Sequence, residues 1–159
     1  MVKFPLINNN ESKRKTINHK SIEINENGRV FLNIYSQENY LIIYYINKGK
    51  VDDIENQTEI PYSSLTWIKQ CITDGFWKKP SDGGLPKNKH VCSSFFAGEE
   101  ITISRSMNAG YPGQKGFNII NNNRSCHILA SWPQQVQITD EVMSSHLLPI
   151  MNKIIENQI

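Results

Sequence analysis

Very little in this chain of 159 residues is suited to cross-linking or to chelation. Its three cysteines, Cys71, Cys92 and Cys126, are odd in number and widely spaced, with no CxxC pair and no secretory apolar core near residue 1. This excludes a disulfide framework and points to a reducing, intracellular compartment. No apolar run approaches the roughly 20 residues of a membrane span, so no membrane partner is expected. An excess of charge of one sign is missing as well. Seventeen Lys and Arg stand against 15 Asp and Glu, a net charge of +2, whereas a dedicated polyanion clamp is far more basic. With 38% hydrophobic residues the chain is expected to be soluble and globular, and its length fits one folded domain.

Catalytic signatures are also absent. There is no nucleophile elbow, no HExxH and no spaced pair of carboxylates, and Glu99-Glu100 reads as a solvated strand entry. The loop "GYPGQKG" lacks the spacing and the strand-to-helix context of a phosphate cradle. His90, Cys92, Cys126 and His127 lack the close pairing of a structural zinc site, and alternation along a strand would turn Cys126 and His127 to opposite faces. Neither an enzyme nor a cofactor nor a metal is expected.

What is present is alternation. In "RVFLNIYS", Val30, Leu32 and Ile34 fall on one face and Arg29, Phe31, Asn33 and Tyr35 on the other. The Asn27-Gly28 pair predicts a tight turn from a first strand, "KSIEINENG", into this one. "NYLIIYYINKGK" reads as a third strand, apolar on both faces, and "QTEIP" as a fourth. "SSLTWIKQCI" then changes to helical spacing at Leu65, Ile68, Cys71 and Ile72, with Ser63 or Ser64 as the cap.

After a Pro-, Gly- and Lys-rich connector the same order returns in "EITISRSM", "FNIINN", "SCHILASW" and "VQIT". A closing helix in "DEVMSSHLLPIMNKIIENQI" pairs apolar residues four apart, is capped by Thr139 or Asp140, and is kinked at Pro149. The reading is an α+β fold of two ββββα repeats, antiparallel sheets with two packed helices. Residues 1–16 form a basic arm, and residues 17–159 a single domain whose repeats (about 17–74 and 97–159) are joined by a linker at 75–96.

Two consecutive ββββα units in a chain of this size resemble the family of single-stranded nucleic-acid binders that includes the Whirly, PUR and PC4-like proteins. The segments that carry the resemblance are "RVFLNIYS" to "NYLIIYYIN", "TEIPYSSLTWIKQC", and "FNIINNNRSCHILASWPQQVQITDEVMSSHLLPIM". The resemblance implies curved sheets whose faces and edges contact unpaired bases, and a hydrophobic helical surface used for assembly.

Elementary chemistry asks for the same parts. Bases stack on aromatic rings, phosphates pair with Lys or Arg, and amides meet base edges. The face formed by Arg29, Phe31, Asn33 and Tyr35 supplies all three, and Tyr40, Tyr44 and Lys48 share one parity on the next strand. Lys13, Arg14 and Lys15 of the arm would track phosphates. The plain alternative is that these rings cover a second layer, as strand aromatics usually do, and that the lysines are solvated.

The first expectation is therefore a non-enzymatic protein that binds single-stranded DNA or RNA in a regulatory or protective role, transcription regulation included. It is expected to form a homo-oligomer through the stripe Val142, His146, Leu147, Ile150 and Ile154. The second is a protein-interaction or adaptor module of the same fold, viral or regulatory.

Overall fold

The computed structural model describes residues 3–6, 17–23, 30–47, 49, 51–109 and 113–156, with residues 17–23 and 30 described by backbone alone. Of the site residues expected from sequence, Lys13, Arg14, Lys15, Arg29 and Lys48 lie outside the described residues, as does the Asn27-Gly28 turn.

The chain is α+β, with two antiparallel four-stranded sheets. The first holds β1 (Ile17–Glu23), β2 (Val30–Gln37), β3 (Tyr40–Asn47) and β4 (Ile54–Pro61) in chain order. The second holds β5 (Val91–Phe96), β6 (Glu99–Ser106), β7 (Gly116–Ser125) and β8 (Pro133–Thr139), also in chain order. Helix α1 (Leu65–Gln70) follows the first sheet; α2 (Asp140–Val142) and α3 (Leu148–Ile155) follow the second. By compactness the chain divides into Met1–Pro61 with Ile120–Val136, and Tyr62–Ile119 with Gln137–Ile159. Among the described residues no helix is long and apolar enough to cross a membrane.

Local chemistry accounts for most of the first sheet. Glu38 and Asn39, between β2 and β3, both take positive φ (49° and 66°), the pair of left-handed residues that a two-residue turn needs to match strand twist. That turn sets the register: Phe31 faces Ile46, Asn33 faces Tyr44, Tyr35 faces Ile42 and Gln37 faces Tyr40. Leu32 and Ile34 are buried on the opposite face with Leu41, Ile43 and Ile60, as the alternation of "RVFLNIYS" requires. Residues 41–44 are buried on both faces, which explains why β3 shows no polar alternation.

Two strands of the second sheet differ from the sequence reading. "SCHILASW" is a loop: Cys126 N–H donates to the Trp132 carbonyl (2.8 Å), which closes the segment on itself before Pro133. The strand that completes the sheet is β5, drawn from the stretch read as connector. It is an edge strand, Val-Cys-Ser-Ser-Phe-Phe, joined to β6 by an Ala97-Gly98 turn with φ values of 52° and 77°. Its apolar signal is short and was hidden beside the Lys, Gly and Pro that precede it.

The helices show a second departure. Both widen to i→i+5 bonding, over Cys71–Phe76 and over Met143–Leu147. The second wide turn ends just before Pro149, which then occupies the first turn of α3, where its missing N–H does least harm. Thr139 caps α2 by accepting from Val142 N–H (3.3 Å), whereas Ser64 makes no side-chain cap bond at α1. Asp140 instead receives Arg105 Nη1 and Nη2 (2.6 and 3.0 Å) and Trp77 Nε1 (3.1 Å), and Arg105 lies 4.6 Å from the Phe117 ring centre.

The stripe expected to drive assembly is occupied by the fold itself. Leu147, Ile150 and Ile154 are buried together with Met143 and Met151, while Val142 and His146 are half-buried. Helices α1 and α3 pack on one another, so part of the stripe has a helix to cover.

Candidate functional site

The sheet face singled out by sequence splits into an open and a closed part. On β2, Phe31, Asn33 and Tyr35 are half-buried, each keeping some surface. On β3 the same face is mixed: Tyr40 and Ile46 are half-buried, whereas Ile42 and Tyr44 are buried. Tyr44 is only 5% exposed, so its ring is core and out of reach of a base. Burial, followed by a hydrogen bond with Glu55, pushes its phenol far above the ordinary value of 10.0. Burial also raises the Tyr35 phenol, though that ring keeps a wet edge.

A pH prediction follows. The folded state holds these two protons above pH 10, while the unfolded chain releases them near 10.0. Their contribution to stability is therefore complete below pH 10 and is lost as pH climbs beyond it. In a tyrosinate absorbance titration of the folded chain, the Tyr35 and Tyr44 phenols are expected to ionise above pH 10. Tyr44→Phe should remove one late-titrating phenol; a titration in which all six ionise together near pH 10 would contradict the assignment.

Tyr40 is engaged by a group that the sequence reading missed. Arg124 stacks over it with Cζ 4.2 Å from the ring centre, and Phe4 meets its edge with centroids 5.5 Å apart at 77°. Arg124 pairs with Glu59 (Nη1 to Oε1, 2.9 Å), whose side chain has no exposed surface. Every polar atom of Glu59 has a partner. Oε1 also accepts from Phe4 N–H (2.7 Å), and Oε2 accepts from Gln134 Nε2 (2.6 Å) and Gln57 Nε2 (3.3 Å).

The Glu59 backbone is covered as completely. Its N–H donates to Gln134 Oε1 (2.9 Å) and its carbonyl accepts from Asn121 Nδ2 (2.8 Å). Since β4 is an edge strand, these two amides do for its outward groups what another strand would otherwise do. Glu59 and Gln57 share the face of Tyr40 and Tyr44, because β4 pairs Tyr44 with Gln57 and Ile42 with Glu59.

No sequence signal marks this cluster. Arg124 sits in "NNNRS" with no recognisable spacing, and Glu59 interrupts a strand at a place where solvent would suit it equally. Apart from Gln57, two positions away, the partners come from sites 55 to 75 positions away.

Cations elsewhere are spread out: Lys78, Lys79, Lys87 and Lys89 are exposed on the stretch before β5. Cys126 and His127 make separate bonds, Cys126 Sγ with Asn56 Oδ1 (3.4 Å) and His127 Nε2 with the Phe4 carbonyl (2.8 Å). Among the described residues no three His, Cys, Asp or Glu side chains are grouped to hold a metal. Comparison with known proteins finds no family model that matches the chain and no curated protein that matches its sequence.

Proposed function

We propose that the chain is a non-enzymatic protein that binds single-stranded DNA or RNA on the open part of the first sheet, in a duplicated ββββα fold of the Whirly, PUR and PC4-like kind. The observation that carries the reading is the row Phe31, Asn33 and Tyr35, half-exposed at alternate positions of one strand. Two rings, each about 7 Å from the central position, offer stacking surfaces along one strand. Tyr44, being buried, drops out of the platform, whereas Tyr40 is half-buried like the β2 row and partly taken up by Phe4 and Arg124. The exposed lysines 78, 79, 87 and 89 suit phosphate attraction in general, without a defined path.

Fluorescence titration of the full chain with an unstructured oligonucleotide at two salt concentrations tests this reading. Binding that weakens with salt is expected, and Tyr35→Ala or Phe31→Ala should each lower affinity by about tenfold, in line with 1–3 kcal/mol per stacked base. Absence of binding at low salt would sink the proposal. Binding unaffected by both substitutions would move the site elsewhere.

One observation favours the adaptor reading instead. Ile128, Leu129 and Trp132 are exposed in the 126–132 loop, with Trp132 57% accessible, and Trp132 N–H donates to the Leu129 carbonyl (3.0 Å), which fixes the loop tip. Exposed aromatic anchors of this kind suit a protein partner. Self-association belongs to either reading. With much of the helical stripe buried, a surface for it among the described residues is the β5 edge, where Val91 and Phe95 are exposed.

A further inference from the structure

Residues 3–6 lie on the β3–β4 face of the first unit in the manner of a bound peptide rather than of a strand. Their main-chain groups are read by side chains. Phe4 N–H donates to Glu59 Oε1 (2.7 Å), the Phe4 carbonyl accepts from His127 Nε2 (2.8 Å), and the Pro5 carbonyl accepts from Gln57 Nε2 (3.1 Å). Lys3 Nζ reaches the Cys126 carbonyl at 3.4 Å. The Phe4 ring packs against Tyr40 and lies 5.0 Å from the Arg124 guanidinium carbon. Lys3 and Pro5 are exposed while Phe4 and Leu6 are half-buried, the alternation of an extended segment laid on a surface.

We infer that this face is a recognition site for an extended Phe-Pro peptide, with the chain's own residues 3–6 as a releasable resident ligand. Three features separate the arrangement from ordinary core packing. The buried charge does not depend on the segment: if Phe4 leaves, Glu59 keeps Arg124, Gln134 and Gln57, so no charge is stranded. The ligand is preorganised, because the proline that follows holds Phe4 in the extended region and needs no donor of its own, Pro5 being read only through its carbonyl.

His127 supplies the third feature. A carbonyl can only accept, so Nε2 carries the proton, and buried Nδ1 has no partner among the described residues. The ring's one polar bond is therefore spent on the segment. Since Phe4 covers Tyr40 and touches Arg124, release of the segment would uncover an aromatic ring beside a guanidinium group. The inference stands whether or not nucleic acid binds the open part of the sheet.

The probe is a fluorescein-labelled peptide of residues 1–9, added to the full-length chain. It is expected to bind Phe4→Ala chain about tenfold or more tighter than wild type, whose site is filled, and the same peptide carrying Phe4→Ala should lose about tenfold on the variant chain. Equal binding of the two peptides to the variant chain, or of the peptide to both chains, overturns the inference. If Phe4→Ala chain does not fold, 15N-labelled wild-type chain serves. Saturating unlabelled peptide should then speed exchange of the Phe4 amide while the Phe4→Ala peptide leaves it unchanged; no acceleration overturns the inference equally.

Discussion

Arg124→Met in the full-length chain is expected to lower the unfolding free energy by about 3–5 kcal/mol, the usual result of removing one partner from a buried ion pair. The Glu59 side chain has no exposed surface and that of Arg124 only 8%, so solvent cannot replace the lost guanidinium. Gln134, Gln57 and the Phe4 N–H would remain as donors, but they offer dipoles where a full charge is needed. The substitution also strips the cation from the Tyr40 and Phe4 rings, each worth a further fraction of a kcal/mol or more when desolvated, on the order of 0.5–2 kcal/mol.

The double variant Arg124→Met with Glu59→Gln separates these contributions. A neutral amide at position 59 needs no counter-ion, and most of the loss should return, because replacing a whole buried pair is close to neutral where breaking it is not. Urea denaturation of the wild type, both single variants and the double variant measures the coupling. A cost below about 1 kcal/mol for Arg124→Met would place the pair in the class of solvent-screened bridges and undo the account of the cluster.

Leu147→Ala is expected to destabilise the chain by about 2–5 kcal/mol, the range for removing a fully buried leucine. Leu147 has no exposed surface, and α3, which follows it directly, lies against α1. The same substitution decides between core and assembly surface. If the stripe serves the fold, stability falls while the mass by light scattering at micromolar concentration stays that of wild type. If the mass falls with stability intact, the residues at 142–155 are an interface after all.

Helical periodicity alone could not make that distinction. It told correctly that Leu147, Ile150 and Ile154 lie along one stripe, because the side-chain angle per residue is a local steric property. What covers a stripe is a matter of which distant segment arrives there.

The first sheet shows how far local reasoning reaches. Alternation put Leu32 and Ile34 inside and Phe31, Asn33 and Tyr35 on the other face, and the structure has them so. The same reasoning could not see that this face is half-open along β2 but buried at Ile42 and Tyr44 on β3. Nor could it see that Tyr40 is met by Phe4 and Arg124, 36 and 84 positions away in the sequence (40 − 4 and 124 − 40). In the second sheet, apolar run length misled: "SCHILASW" is rich enough to read as a strand, yet a Cys126–Trp132 backbone bond folds it into a loop, while the poorer "VCSSFF" pairs with β6.

By itself, then, the sequence determined the succession of strands and helices in most of the chain, the parity of β2, the amphipathic stripe of the last helix and the absence of a membrane-length helix. Those depend on backbone geometry and side-chain branching within a few residues. Only the tertiary structure decided that Tyr44 is core, that Leu147, Ile150 and Ile154 are buried, and that Glu59, Arg124, Gln57, Gln134 and Asn121 meet. The physical reason is that a buried charge is tolerated only when its partners converge from several segments, and that convergence leaves no periodic mark on any one of them.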